Sequence, residues 1–205
     1  MTVQYTNRTG KTYYLRQGKT KTGKPRYFFS PQVDGKGEAV ENIPEGYEIY
    51  EHPRIAQVYL RKKRVKLITD IETHLVEKYA KQLKRSKRYL VDCKDEYITI
   101  YESDTDFREL EHTMGDLLKR MPLQPGISAD DAMDFLFGAA DQTYTAMLRF
   151  HLVDKDRRTF VAERFCFRGA IDDWIFLSGP DNLKKLVRKY IKLLGTEKFF
   201  DLPYF

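Results

Sequence analysis

The run Tyr144-Thr-Ala-Met-Leu-Arg-Phe-His-Leu152 constrains the fold more than any other stretch of the chain. Tyr144, Ala146, Leu148, Phe150 and Leu152 recur at a period of two, with Thr145, Met147, Arg149 and His151 between them, the pattern of a strand buried on one face. The alternation predicts a sheet with one side in a core and the other partly wet. Neighbouring runs supply partners. Tyr89–Cys93 and Tyr97–Tyr101 make a hairpin through Lys94-Asp-Glu96, Thr159–Arg168 returns after the charged turn Asp154–Arg157, and Trp174–Leu177 is a third strand of this group.

Helical spacing occurs between and after these strands. Ile68, Ile71, Leu75, Tyr79 and Leu83 recur at three- and four-residue steps over Leu67–Arg88, with acids early and bases late as the helix dipole favours. The opposite side is charged, so this segment reads as a surface helix or a connector. Ser103 and Ser128 cap two further predicted helices, carrying the stripes Phe107–Met121 and Ala132–Ala139. A last helix opens at Gly179-Pro180, buries Leu183, Leu186, Val187, Tyr190, Ile191 and Leu194, and ends at Gly195. The terminal Phe199–Phe205 is too apolar to stand in water and is expected to pack on the domain or on a partner.

The amino-terminal third reads differently. Aromatic runs at Tyr13–Leu15 and Tyr27–Phe29 flank Gly18, Gly23 and Pro25, the signature of a hairpin with a long tip. Turn signals at Asp34–Gly37 and Pro44–Gly46 divide further short strands, about five in all. The organisation expected is therefore α+β: a small basic β module over residues 1–66, a linking helix over 67–88, and an α+β domain over 89–205 with an antiparallel sheet and about three helices.

The runs Gly18–Ser30 and Ile43–Glu51, with Ile171–Trp174 and the ending Leu194-Gly195 and Asp201-Leu202, resemble a family of uncharacterised prokaryotic proteins. The likeness touches both ends of the chain and implies no activity and no catalytic residue.

Charge is the strongest functional signal. The net charge is +6, but residues 1–90 hold 20 Lys/Arg against 9 Asp/Glu, and residues 1–30 hold seven bases and no acid. Such a split points to a surface that meets a polyanion, or to two halves that attract one another. A polar amino terminus and the lack of any apolar run near 20 residues predict neither a signal peptide nor a membrane span, hence a cytoplasmic protein, and the compactness of the chain suggests a prokaryotic one. Cys93 and Cys166 lack metal or redox spacing and read as buried free thiols.

Catalytic chemistry finds little support. His52, His74, His112 and His151 lie far apart, so no metal set is expected. Asp130, Asp131 and Asp134 suit a helix's first turns. Asp172 and Asp173 follow a strand bearing Arg164 and Arg168, and an Arg–Asp pair anchoring that turn is favoured over an acid–base site. Gly18-Lys-Thr-Lys-Thr-Gly-Lys24 matches a phosphate loop until its last position, where Pro25 replaces the Ser/Thr that would hold magnesium. No cofactor is expected.

Binding remains. Arg16, Lys19, Lys21, Lys24 and Arg26, together with Arg61, Lys62, Lys63 and Arg64, are the candidate phosphate contacts, and Tyr27 a candidate stacking platform for DNA or RNA. The alternative is a protein-interaction module or homodimer using the carboxyl-terminal domain and its apolar tail.

Overall fold

In the computed structural model, residues 2–105, 143–168 and 171–201 are described. The fold is α+β with antiparallel strand pairing throughout. It divides into two compact units: one extends to Lys63, and the other holds Arg64–Ser103 and resumes at Tyr144. The helices expected after Ser103 and Ser128, and the last residues of the tail, lie outside the described residues. Among those described, no helix is long and apolar enough to cross a membrane.

Among the described residues, the first unit has six strands where about five were expected. β1 (Gln4–Thr6), β2 (Thr12–Lys19) and β3 (Pro25–Ser30) form a sheet in that order, and β4 (Glu38–Ala39) pairs with β2. β5 (Tyr47–Glu51) and β6 (Val58–Lys62) form a separate hairpin. A polar clasp ties that hairpin to the β1–β2 turn. Arg8 donates from Nη1 to Glu51 at 2.8 Å and to the His52 carbonyl at 3.1 Å, and from Nη2 to the Pro53 carbonyl at 2.6 Å. Buried Asn7 donates to the Ala56 carbonyl at 2.8 Å. Among the described residues of this unit the buried apolar side chains include Leu15, Ala56 and Val58, and the Arg8 bonds add charge-assisted ties to them.

The second unit contains the sheet that the alternation predicts. Its order is β11 (Ile171–Phe176), β10 (Thr159–Arg168), β9 (Tyr144–Asp154), β8 (Tyr97–Ser103), β7 (Tyr89–Lys94), with β12 (Asp181–Asn182) continuing along β10. Strict alternation holds from Leu148 to Leu152. It breaks one residue earlier, because Ile100 faces Leu148 while Tyr101 faces Ala146, so Met147 is an extra, buried residue in a β-bulge. One sheet face packs against α1 (Asp70–Ala80), α2 (Leu183–Tyr190) and α3 (Glu197–Phe200), around Val76, Ile98, Phe150, Phe160, Val187 and Phe199.

α1 is shorter than expected, and it does not serve as a free connector. A capping box starts it at Thr69, whose hydroxyl accepts from the Glu72 amide while Glu72 accepts from the Thr69 amide. Val76 and Ala80 are buried, and Leu75, Tyr79 and Leu83 pack on the sheet core. The last helix also begins later than Pro180: residues 181–182 pair with β10 first, and the Asn182 side chain then caps α2.

Candidate nucleic-acid interface

The amino-terminal hairpin differs from expectation at its tip. The strands pair out to Lys19 and Pro25, and the turn between them is tight rather than long. The Gly23 amide donates to the Thr20 carbonyl at 2.9 Å and the Thr20 amide to the Lys24 carbonyl at 2.8 Å. Gly23 sits at φ +80°, the left-handed position that such a turn requires and that glycine adopts without cost. β4 pairs only as far as Gln17, so the hairpin beyond it has no further strand beside it among the described residues. Every residue from Lys19 to Arg26 is exposed. At roughly 3.3 Å per residue the arm from Gln17 to its turn extends about 10–15 Å.

Register decides where the cations lie. Lys19 faces Pro25, and Arg26 faces Gly18, so Lys19 and Arg26 emerge on opposite faces while Lys21 and Lys24 belong to the turn. The arm is cationic on both sides and at its end. None of these four cations has an ion-pair or hydrogen-bond partner for its side chain among the described residues. Glu38, opposite Gln17, is the acid that the pairing places beside the arm's base.

The other predicted contacts separate into two groups. Lys62 and Lys63 are exposed, and Lys62 faces Tyr47, whose ring meets Tyr27 edge-on with centroids 5.8 Å apart. Tyr27 is therefore half-buried in the unit's own packing, with only part of its ring open to a base. Arg16 is 7% exposed, with its Nε unpartnered and Nη1 only 3.5 Å from the Gly37 carbonyl, so it belongs to the interior and not to a phosphate surface. Arg61 is held between Glu48 at 2.8 Å and the Tyr50 ring at 3.9 Å. Arg64 lies in the second unit and binds both Asp95 oxygens at 2.7 Å.

The second unit's candidate acids do not assemble into a site. Arg164 faces Ile175, and its side chain turns into the helix-covered side, donating to the Phe200 carbonyl at 3.2 Å. Asp172 and Asp173 are exposed, and Asp173 accepts from the Trp174 amide at 2.7 Å. Of the two arginines expected to anchor that turn, Arg164 does not pair with Asp172 or Asp173, because its strand register turns it to the Phe200 carbonyl, and the Arg168 side chain lies outside the described residues. The pair that does form is Arg149–Glu163, directly opposed across β9 and β10 at 2.5 Å. Its guanidinium lies over the Tyr97 and Trp174 rings, at 4.4 and 4.2 Å. Both residues occupy polar positions of alternating strands, but their meeting depends on register, which no local signal reveals. Tyr97 also stacks on His151 at 4.5 Å, which places that histidine in a ring contact.

Among the described residues no group of three or more His, Cys, Asp or Glu is placed to hold a metal. Cys93 and Cys166 are both unpaired, and burial pushes the Cys93 thiol above its ordinary pKa despite a hydrogen bond with Thr73. Phe199 is fully buried, so that part of the tail belongs to the domain's own core and is not a free contact for a partner. No family model matches the chain, and neither a curated protein nor a solved structure is significantly similar to it.

Proposed function

We propose that the protein is a non-catalytic nucleic-acid-binding protein whose β2–β3 arm enters the groove of a duplex. One observation carries this reading: the eight exposed residues Lys19–Arg26 hold four cations on both faces and the end of a single ribbon, with no acid among them. A cationic strip confined to one face would suit a flat polyanion. Cations on both faces suit two walls of phosphate. The major groove of B-form DNA admits a two-stranded ribbon, whereas the deep, narrow major groove of A-form RNA does not, so duplex DNA is the favoured ligand. Lys62 and Lys63 extend the contact at the arm's base.

The reading is tested by fluorescence anisotropy on a mixed-sequence duplex of about 20 base pairs across a salt series. The four arm cations, at about 0.9 released counterions each, contribute about −3 to −4 to the log–log salt slope. Joint Lys19→Ala, Lys21→Ala, Lys24→Ala and Arg26→Ala substitution removes that contribution and leaves the melting temperature unchanged, since these side chains make no hydrogen bond or ion pair among the described residues. Absence of binding at low salt, or full binding by the quadruple variant, refutes the proposal.

A further inference from the structure

β7 closes one side of the second unit's sheet, and among the described residues only β8 pairs with it. Its other edge presents main-chain donors and acceptors at strand spacing, a template that another extended chain can complete. Beside that edge lies a groove of about 240 Å³, lined by Glu77, Ala80 and Lys81 of the α1 end, by Ser86, and by Tyr89, Leu90 and Val91 of β7. A helix beside a sheet edge, with an apolar floor between them, is the arrangement that captures peptides by strand addition.

The rim selects the peptide. From Lys78 to Lys94 the chain carries Lys78, Lys81, Lys84, Arg85, Lys87, Arg88 and Lys94 against the single acid Asp92; Arg88 is paired with Glu102, and Glu77 is the one carboxylate of the groove lining. Lys78, Lys81 and Lys84 are exposed, with no side-chain hydrogen bond or ion pair among the described residues. We infer that this groove binds an extended acidic segment of a partner protein, which adds to β7 as a strand, seats alternate apolar side chains against Ala80, Tyr89 and Val91, and turns its carboxylates to the lysine rim. Nucleic acid would answer the charge but has no main chain to complete the edge.

The probe is a fluorescent peptide of about ten residues alternating Val and Glu, the length of a long strand, titrated into the full chain. The inference predicts saturable binding with amide shifts concentrated at Tyr89–Lys94 in ¹⁵N spectra. N-methylation at alternate peptide positions should weaken binding by about tenfold or more, because it deletes the ladder bonds. Lys81→Glu with Lys84→Glu should weaken it by about tenfold in a chain that keeps the wild-type circular dichroism spectrum, and a Val–Lys peptide should not bind. The inference is overturned if the methylated peptide binds like its parent, if no acidic peptide binds, or if a DNA duplex shifts the same amides. It is also overturned if the free protein is a dimer with β7 amides already protected.

Discussion

Glu72 couples three structural tasks, and removing its charge tests whether they add as the geometry implies. Its carboxylate accepts from the Thr69 amide at 2.8 Å and from the Thr69 hydroxyl at 2.8 Å, completing the cap of α1. It also pairs with Arg158, whose Nε donates at 3.0 Å and whose Nη2 forms a second bond. Arg158 in turn donates to the Leu67 carbonyl at 3.2 Å, fastening the α1 approach to the β9–β10 turn across 91 residues of sequence. Burial works to raise the pKa of Glu72, but the hydrogen bonds from Arg158 and Thr69 and the Arg158 charge together outweigh it and hold the value below 4.5. A cap is worth about 1 kcal/mol and a charge-assisted bond about 1.5–3. Arg158 is a third exposed, so the pair is discounted toward the lower end, and Glu72→Gln should cost about 2 kcal/mol in the second unit.

Trp174, the only tryptophan, lies in that unit and reports its urea unfolding. With a slope of about 1–2 kcal/mol/M, the midpoint should fall by about 1–2 M at pH 7. Because the folded pKa is depressed, the stabilisation is present above the unfolded value and disappears as pH falls through the folded one. The gap between wild type and variant should therefore be constant above about pH 5 and close at more acid pH. A midpoint change below about 0.3 M, or a gap that persists in acid, would refute the coupling.

Two further outcomes follow from single positions. Gly37 has φ +92°, and a Cβ there would stand 2.7 Å from the Gln17 carbonyl, so Gly37→Ala should destabilise the first unit by about 1–3 kcal/mol; circular dichroism melting that shows no change would contradict this. Burial, then the charge of Glu102, push the Tyr89 hydroxyl up to about 12. A phenol that ionises later when folded stabilises below its unfolded pKa, and loses that contribution as pH rises through the folded value. Tyr89→Phe should flatten the loss of stability between about pH 10 and 12, and an unaltered alkaline profile would count against that environment.

Most elements were legible because their signals are local. The period-two runs at 89–101, 144–152 and 159–168 became strands, and the stripe from Leu183 to Leu194 became the buried side of α2 and the turn after it. The missed boundaries have short-range causes that compete with periodicity: the capping box at Thr69 starts α1 late, and pairing of residues 181–182 with β10 delays α2. Met147 shows the limit of alternation, since a bulge changes the phase without changing the composition.

The sequence by itself determined the secondary-structure periods, the α+β class and the concentration of cations near the amino terminus, because each is a property of neighbouring residues. Only the tertiary structure decided which cations are available. Arg16, Lys19 and Arg64 read alike as bases in a basic stretch, yet Arg16 is enclosed, Arg64 is held by Asp95 from 31 positions away, and Lys19 stands clear on the arm. Whether a charge is spent inside the fold or offered to a ligand depends on strand register and on partners distant in sequence, and neither leaves a trace in the residues beside it.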